Sequence, residues 1–304
     1  MKAGPLISVC IPTYNSPESL ERCVRSALSQ TYPYIEIVIT DDSPNNITEA
    51  MIRTKFKDER IRYYKNEAAF GSPGNWNEAM RKATGSFIKM LHHDDWFSTD
   101  TALQKFLDAM RGDPSERSLV FSSAVNCFGN RKSLVTPTGA FLRKLKSSPD
   151  ILLYSNRIGA PSVTFFSRES FRWFDENTRW FVDLLFYRDF LNANENRFIH
   201  IREPLVNITA GLRTQMTSII SNREKFAEAV YAFRKAGNIE QVRHRFLFKA
   251  FIRELLLRYK ISENELLNSF SEAFPGRAAL PWWYKIPLPY QVFSLLRYLR
   301  TRIV

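Results

Sequence analysis

Apolar positions in the first hundred residues recur at two alternating spacings. Short continuous runs, Ile7–Ile11, Ile35–Ile39, Ile61–Tyr64 and Phe87–Leu91, have the length of strands buried on both faces. Between them the period changes. Leu20, Cys23, Val24, Ala27 and Leu28 fall on one face of a helix that Ser16 caps, with Pro17 in its first position. Asn75–Ala83 fits a helix closed by Gly85, and Thr99 or Asp100 caps another that runs to Met110 before Gly112 and Pro114. Strand and helix thus alternate, which predicts an α/β fold with a parallel sheet and helices on both faces.

Beyond Pro114 the pattern is less regular. Leu119–Ser122 and Val163–Phe166 read as buried strands and Asp183–Leu191 as a helix. From Asn222 to about Phe274 the spacing is helical, and Leu280–Val304 mixes aromatic and basic residues around three prolines. The expected organisation is an α/β domain over residues 1–218 and a helical, basic and aromatic extension over 219–304.

Composition narrows the class. A chain of 304 residues, 44% hydrophobic, can bury one large core and an accessory piece. Cys10, Cys23 and Cys127 form no CxxC pair, so neither a disulfide framework nor a zinc site is expected, and a reducing cytosol fits. The N-terminus reads as a strand rather than a signal peptide, and no run of about 18 apolar residues predicts a spanning helix.

The net charge of +12 is unevenly placed: residues 241–304 hold eleven Lys and Arg against four Glu. Such a surface attracts anions. Trp282, Trp283, Tyr284 and Lys285, then Leu295–Arg300, combine apolar and basic character in the way an anionic membrane surface favours. The aromatic-and-glycine strand motifs of common RNA binders are missing, so a nucleic acid is not expected as the partner.

Candidate chemistry gathers at the strand ends. Leu91-His92-His93-Asp94-Asp95-Trp96 puts two carboxylates where an apolar strand leaves the sheet, the edge at which open α/β sheets bind ligands. Carboxylates there can hold a divalent cation against a phosphate, and hard cations prefer oxygen, so the aspartates are favoured as ligands and the histidines left open. Pro12-Thr13-Tyr14-Asn15 follows the first strand and alone reads equally as a turn. Asp41-Asp42-Ser43 follows the second and is either a hydrogen-bonding site for a base or ribose or a helix cap. Gly71–Asn77 allows close backbone approach to a ligand or caps the next helix.

The order of these four elements resembles the family-2 glycosyltransferases with the GT-A fold. Their pattern is PxYN, a DD(G/S)S turn, GxxxNxN before a helix ending in AxG, and an acidic DxDD-type turn. Here these are Pro12–Asn15, Asp41–Ser43, Gly71–Asn77 with Ala83-Thr84-Gly85, and His92–Asp95. The match covers residues 6–110 well and continues thinly to about 218. It departs at His92, which stands where the motif has its first acid.

The resemblance implies a mixed, mostly parallel GT-A sheet and an inverting transfer of sugar from a nucleotide-diphosphate donor to a hydroxyl acceptor. It places Pro12, Thr13, Tyr14, Asn15, Asp41, Asp42 and Asn75 in a nucleotide pocket, Asp94 at the ribose or metal, and Asp95 on Mg²⁺ or Mn²⁺. Asp183, in a segment similar to the family's acceptor side, becomes the catalytic base, with Val182 where an ED pair has Glu. Arg213, in Gly211–Thr217, becomes a candidate for the pyrophosphate. A basic, aromatic tail then suggests a lipid-linked glycan acceptor at the inner face of the cell membrane, as in bacterial surface-polysaccharide assembly. Two other readings stay open: a non-catalytic member, on the strength of His92, and a nucleic-acid-binding basic protein. A nucleotidyltransferase is disfavoured, because Thr13-Tyr14-Asn15-Ser16 has neither the glycine nor the lysine of a phosphate loop.

Overall fold

The computed structural model describes residues 4–211, 219–237, 239, 245–276, 279–285 and 288–303. The chain forms two compact units, residues 1–137 with 158–218, and residues 138–157 with 219–304. Residues 138–157, which the sequence pattern placed in the first region, belong with the second unit.

The first unit is built on a nine-stranded sheet. Its strands are β1 (Ile7–Thr13), β2 (Ile35–Asp41), β3 (Ile61–Lys65), β4 (Phe87–Met90), β5 (Trp96–Phe97), β6 (Leu119–Phe128), β7 (Arg131–Val135), β8 (Thr164–Ser167) and β9 (Phe198–Thr209). Their order is β3-β2-β1-β4-β8-β6-β9-β5, with β7 on β6. The β1–β2, β2–β3 and β1–β4 pairs are parallel, so their carboxyl ends share one edge. Beyond β4 the sheet is mixed: β8 runs antiparallel to β4 and β6, and β9 parallel to β6.

Strands β1 and β2 are buried at every position, as their apolar runs require. Side chains alternate between faces. Ile7, Val9, Ile11, Ile35, Ile37 and Ile39 share a core with α1 (Pro17–Leu28), α2 (Ile47–Lys55) and α4 (Ala102–Met110), through Leu20, Val24, Ile52 and Phe106. The other face meets α3 (Gly71–Lys82) and α6 (Val182–Ala193): the Cys10 thiol lies 3.5 Å from the Ala79 carbonyl, and Phe166 packs on Phe186 and Phe190.

The strands overrun their apolar runs. Strand β1 continues through Pro12 and Thr13, and β2 through Thr40 and Asp41, because the parallel ladder pairs Thr13 with Asp41 whatever their polarity. The α3 segment opens at Gly71, but Gly71 is left-handed and Ser72 extended (φ −91°, ψ 127°), so its regular helical turns follow from Pro73, two residues before the position expected from periodicity. Strand β9 was not foreseen. Its alternation is broken by Arg202, Glu203 and Pro204, where the β6 register shifts.

The amino-terminal edge is closed by a polar cluster. The Glu36 carboxylate accepts from Ser8 Oγ at 2.6 Å, Thr84 N at 2.6 Å and Arg62 at 2.5 Å. Gly85 N donates to Ser8 Oγ at 2.8 Å, and a Cβ on Gly85 would sit 2.6 Å from the Leu6 carbonyl oxygen. The Ala83-Thr84-Gly85 turn is therefore a structural clasp in which only glycine fits at the third place.

The second unit holds α5 (Gly139–Ser147), α7 (Asn222–Lys235), α8 (Phe246–Arg258), α9 (Glu263–Ser269) and α10 (Tyr290–Ile303). Ser221 and Glu224 form a reciprocal capping box at the start of α7. Phe233 meets the rings of Tyr154, Phe248, Phe251 and Phe270 at 5.0–6.4 Å. Burying each such ring stabilises by about 2–3 kcal/mol. Trp282 is 79% exposed, and Leu295 and Leu299 on α10 are 53% and 37% exposed. No helix among the described residues is long and apolar enough to cross a membrane.

Candidate active site

The carboxyl ends of β1, β2 and β4 bring three of the four motifs to one edge. Strand β4 stops at Met90 and the chain turns through His92–Asp95, with Asp95 N bonded to His92 O at 2.9 Å. Asp95 is buried. Its carboxylate accepts from Ser162 Oγ at 2.5 Å and from Thr209 N at 3.0 Å, at the end of β9. Asp94 anchors the turn through its carbonyl, which accepts from Arg22 at 2.9 Å and from Thr209 Oγ1. The Arg22 guanidinium also lies over Trp96, 3.8 Å from the ring centre.

The electrostatics of this turn favour an incoming cation. Burial raises the Asp95 carboxyl well above its ordinary value, and the neighbouring Asp94 adds to the rise. Beneath it Lys89 is fully buried and donates to Met90 O at 2.8 Å and to Ser162 O. Burial pulls this ammonium down to about 7, against the opposing pull of Asp95. Burial likewise lowers His92 to about 4, so its imidazole is neutral at physiological pH.

A ring nitrogen of His92 and carboxylate oxygens of Asp94 and Asp95 all lie within 4.8 Å of one another. His92 Nε2 and Thr13 Oγ1 are both buried without a hydrogen-bond partner among the described residues. Buried polar atoms are rarely left so in a finished structure, and a ligand entering at this edge would supply the missing partners. The donor set of two carboxylates and an imidazole fits a divalent cation.

The neighbouring strand ends are more occupied. Asp41 accepts from Ser43 N at 2.8 Å, Ser43 Oγ at 2.5 Å and Tyr63 OH at 2.5 Å. Asp42 accepts from Asn66 Nδ2 at 2.6 Å, Phe70 N at 3.1 Å and Gly71 N at 2.8 Å. Gly71 takes the left-handed φ of 69° at that point, a conformation glycine adopts without strain. Asn75 is buried and bonds the Thr13 and Thr40 carbonyls at 3.1 Å each, clasping the two strand ends to α3. Pro12 offers its carbonyl to His93 Nδ1 at 3.2 Å, Asn15 N donates to Ser43 Oγ at 2.8 Å, and Tyr14 is 54% exposed.

Asp183 sits in the first turn of α6, its carboxylate accepting from Leu184 N at 3.0 Å. A row of rings joins this helix to the acidic turn. Phe186 of α6 stacks on Phe174 at 4.2 Å, Phe174 meets Trp76 at 5.2 Å, and Trp76 lies on His92 at 4.4 Å. Asn77 ties this row to α3, donating to Phe174 O at 2.9 Å and to Glu176 at 2.7 Å. Arg213 lies outside the described residues. Sequence reasoning did not single out Arg22, Lys89, Ser162 or Thr209 as supports of the turn, and no local signal marks them.

Residues 8–174, more than half of the chain, match the family description "Glycosyl transferase family 2". The chain belongs to glycosyl transferase family 2. Among curated proteins it is 43% identical over 94 residues to the Escherichia coli UDP-Glc:alpha-D-GlcNAc-diphosphoundecaprenol beta-1,3-glucosyltransferase WfaP, covering 31% of this chain and 37% of that one. It is 32% identical over 155 residues to the putative teichuronic acid biosynthesis glycosyltransferase TuaG of Bacillus subtilis, covering 51% and 57%. The matches thus span between about a third and somewhat over half the length of these relatives. Among solved structures, S. aureus TarS 1-349 in complex with UDP-GlcNAc superposes with a TM-score of 0.57 at 18% identity, covering 97% of this chain and 87% of that one. The mannosyltransferase PcManGT from Pyrobaculum calidifontis, in complex with GDP-Man and Mn²⁺, gives 0.57 at 16% identity, covering 98% and 87%. The family-2 chain therefore has the α/β GT-A fold that the resemblance of its motifs implied, and its acidic turn lies in the matched stretch.

Proposed function

We propose that this family-2 chain transfers a sugar from a nucleotide-diphosphate donor to a hydroxyl of a lipid-linked glycan, with inversion at the anomeric carbon. The observation that carries the proposal is the convergence of His92, Asp94 and Asp95 at the carboxyl edge of the sheet, where the His92 Nε2 atom is buried without a hydrogen-bond partner among the described residues. Thr13, Tyr14, Asn15, Asp41 and Asp42 line the base and ribose side. Pro12 and Asn75 shape it by fixing the strand ends. Asp95, with Asp94, holds Mg²⁺ or Mn²⁺, which when bound neutralises the departing diphosphate. Asp183 accepts the proton of the acceptor hydroxyl as its oxygen attacks the anomeric carbon from the face opposite the diphosphate. Arg213 binds the diphosphate oxygens.

The exposed leucines of α10, the exposed Trp282 and the basic composition of 241–304 support attachment to an anionic membrane surface from the cytoplasmic side. The undecaprenol-linked substrate in the name of WfaP points to the same acceptor class.

A thermal-shift screen against UDP, GDP, TDP, CDP and ADP, each with Mn²⁺, Mg²⁺ or EDTA, tests the proposal. A ligand that binds only the native state raises the melting temperature by mass action. One nucleotide giving a metal-dependent shift is the expected result and names the base. A shift that survives EDTA removes the metal from Asp95, and no shift with any nucleotide overturns the active-transferase reading.

A further inference from the structure

Within Gly71–Asn77, Asn75 and Asn77 hold main-chain groups, whereas Trp76 lays its ring against His92, 4.4 Å between centres and tilted by 40°. Trp76 is itself braced edge-on by Phe174 at 5.2 Å. We infer that His92 is a nitrogen ligand of the divalent cation bound at the acidic turn, its ring set by Trp76, so that the site selects Mn²⁺ or Co²⁺ over Mg²⁺. The inference rests on the metal reading proposed above and goes beyond it, because His92 stands where the family motif carries an acid.

Three observations on this chain carry it. A ring nitrogen of His92 lies within 4.8 Å of oxygens from both aspartates. Donor atoms sharing one ion at about 2.0–2.2 Å stand roughly 3–4.4 Å apart, so movements of up to about 1 Å at each side chain close the shell. Nε2 is buried and has no hydrogen-bond partner among the described residues. A histidine kept only for packing would pair that nitrogen or leave it in water. Finally, Trp76 covers a face of the ring, the arrangement that orients an imidazole while leaving its edge to a ligand. Replacing an oxygen donor by imidazole favours later first-row ions, whereas Mg²⁺ prefers an all-oxygen octahedral shell.

Electron spin-echo spectroscopy of Mn²⁺ added to the full chain, alone and with UDP, reads the ligand directly. Wild type is expected to show ¹⁴N modulation that disappears in His92→Asp and His92→Gln and persists in His93→Ala. Trp76→Phe, which keeps a ring on His92, retains the modulation, and Trp76→Ala weakens it. Titration calorimetry is expected to show the preference for Mn²⁺ over Mg²⁺ falling about tenfold in His92→Asp. Melting curves of the variants confirm that each is folded. Bound Mn²⁺ without ¹⁴N modulation, or with modulation that His92→Asp leaves intact, overturns the inference and keeps the metal reading. No Mn²⁺ binding under any condition overturns both.

Discussion

The two edges of the sheet carry buried polar clusters on the same strands, and they are finished differently. At the amino-terminal edge, Ser8, Glu36, Arg62, Thr84 and Gly85 satisfy one another. At the carboxyl edge, Asp95 is crowded against Asp94, while Thr13 Oγ1 and His92 Nε2 have no partner among the described residues. A cluster that closes on itself serves the fold. One that leaves buried atoms open bears a cost that a ligand offsets. Burial and polarity alone do not separate the two; the state of their hydrogen bonds does.

Mutations should split along this line. The largest effect is expected from Asp95→Ala at the open edge. Steady-state turnover should fall by roughly 10³-fold through lost stabilisation of the leaving diphosphate, with the protein still folded in melting curves. If the protein instead unfolds while turnover per folded molecule survives, the open edge is structural and the contrast fails. Asp183→Asn should lower kcat by roughly 10²-fold or more while the donor's KM stays within a factor of two or so, as expected for a base that acts on the acceptor. A matched loss in donor affinity would move Asp183 from base to binding residue.

The closed edge should behave in reverse. Glu36→Gln removes the charge that Arg62, Ser8 and Thr84 surround, and should cost about 1.5–3 kcal/mol in urea unfolding while leaving kcat of the folded fraction intact. A change in donor KM without a stability loss would break the comparison.

The smallest effect is on pH. Burial alone would raise the Glu36 carboxyl, but the bonds from Ser8, Thr84 and Arg62 outweigh it and hold the group below its ordinary value. A depressed folded value contributes stability that is complete above the unfolded value near 4 and is lost as pH falls through the folded one. Asp113 follows the same sign: burial would raise it, yet bonds from Ser115, Arg117 and Ser118 hold it at about 2. Stability should therefore decline from about pH 4 towards 2, and the decline should be shallower in Glu36→Gln. An unaltered slope would remove Glu36 as a source of acid sensitivity.

The parallel half of the sheet was legible because double-sided burial writes itself as continuous apolar runs, as at Ile7–Ile11 and Ile35–Ile39. The acidic turn was legible for the converse reason, since four polar residues after such a run have no place in a core. Strand β9 was hidden by Arg202, Glu203 and Pro204 at its register shift. The place of helix α5 in the second unit was hidden by the long stretch of chain between it and that unit's other helices. The supports of the site were hidden because they act through ordinary residue types. Nothing local distinguishes Ser162 or Thr209 from any other polar residue of a turn or strand; only the fold brings them to Asp95.

That last fact bears on the order in which the protein becomes competent during synthesis. Asp95 is held by partners 67 and 114 residues further along the chain. Strands β1 to β4 can pair soon after they leave the ribosome, but the turn they present stays loosely held until β9 has emerged and docked on β6. Such distant contacts form late, because the loop entropy between the partners is lost before the contact forms. A nascent chain stalled before Thr209 would expose the acidic motif without its supports, so the proposed nucleotide site is assembled only with the completed sheet.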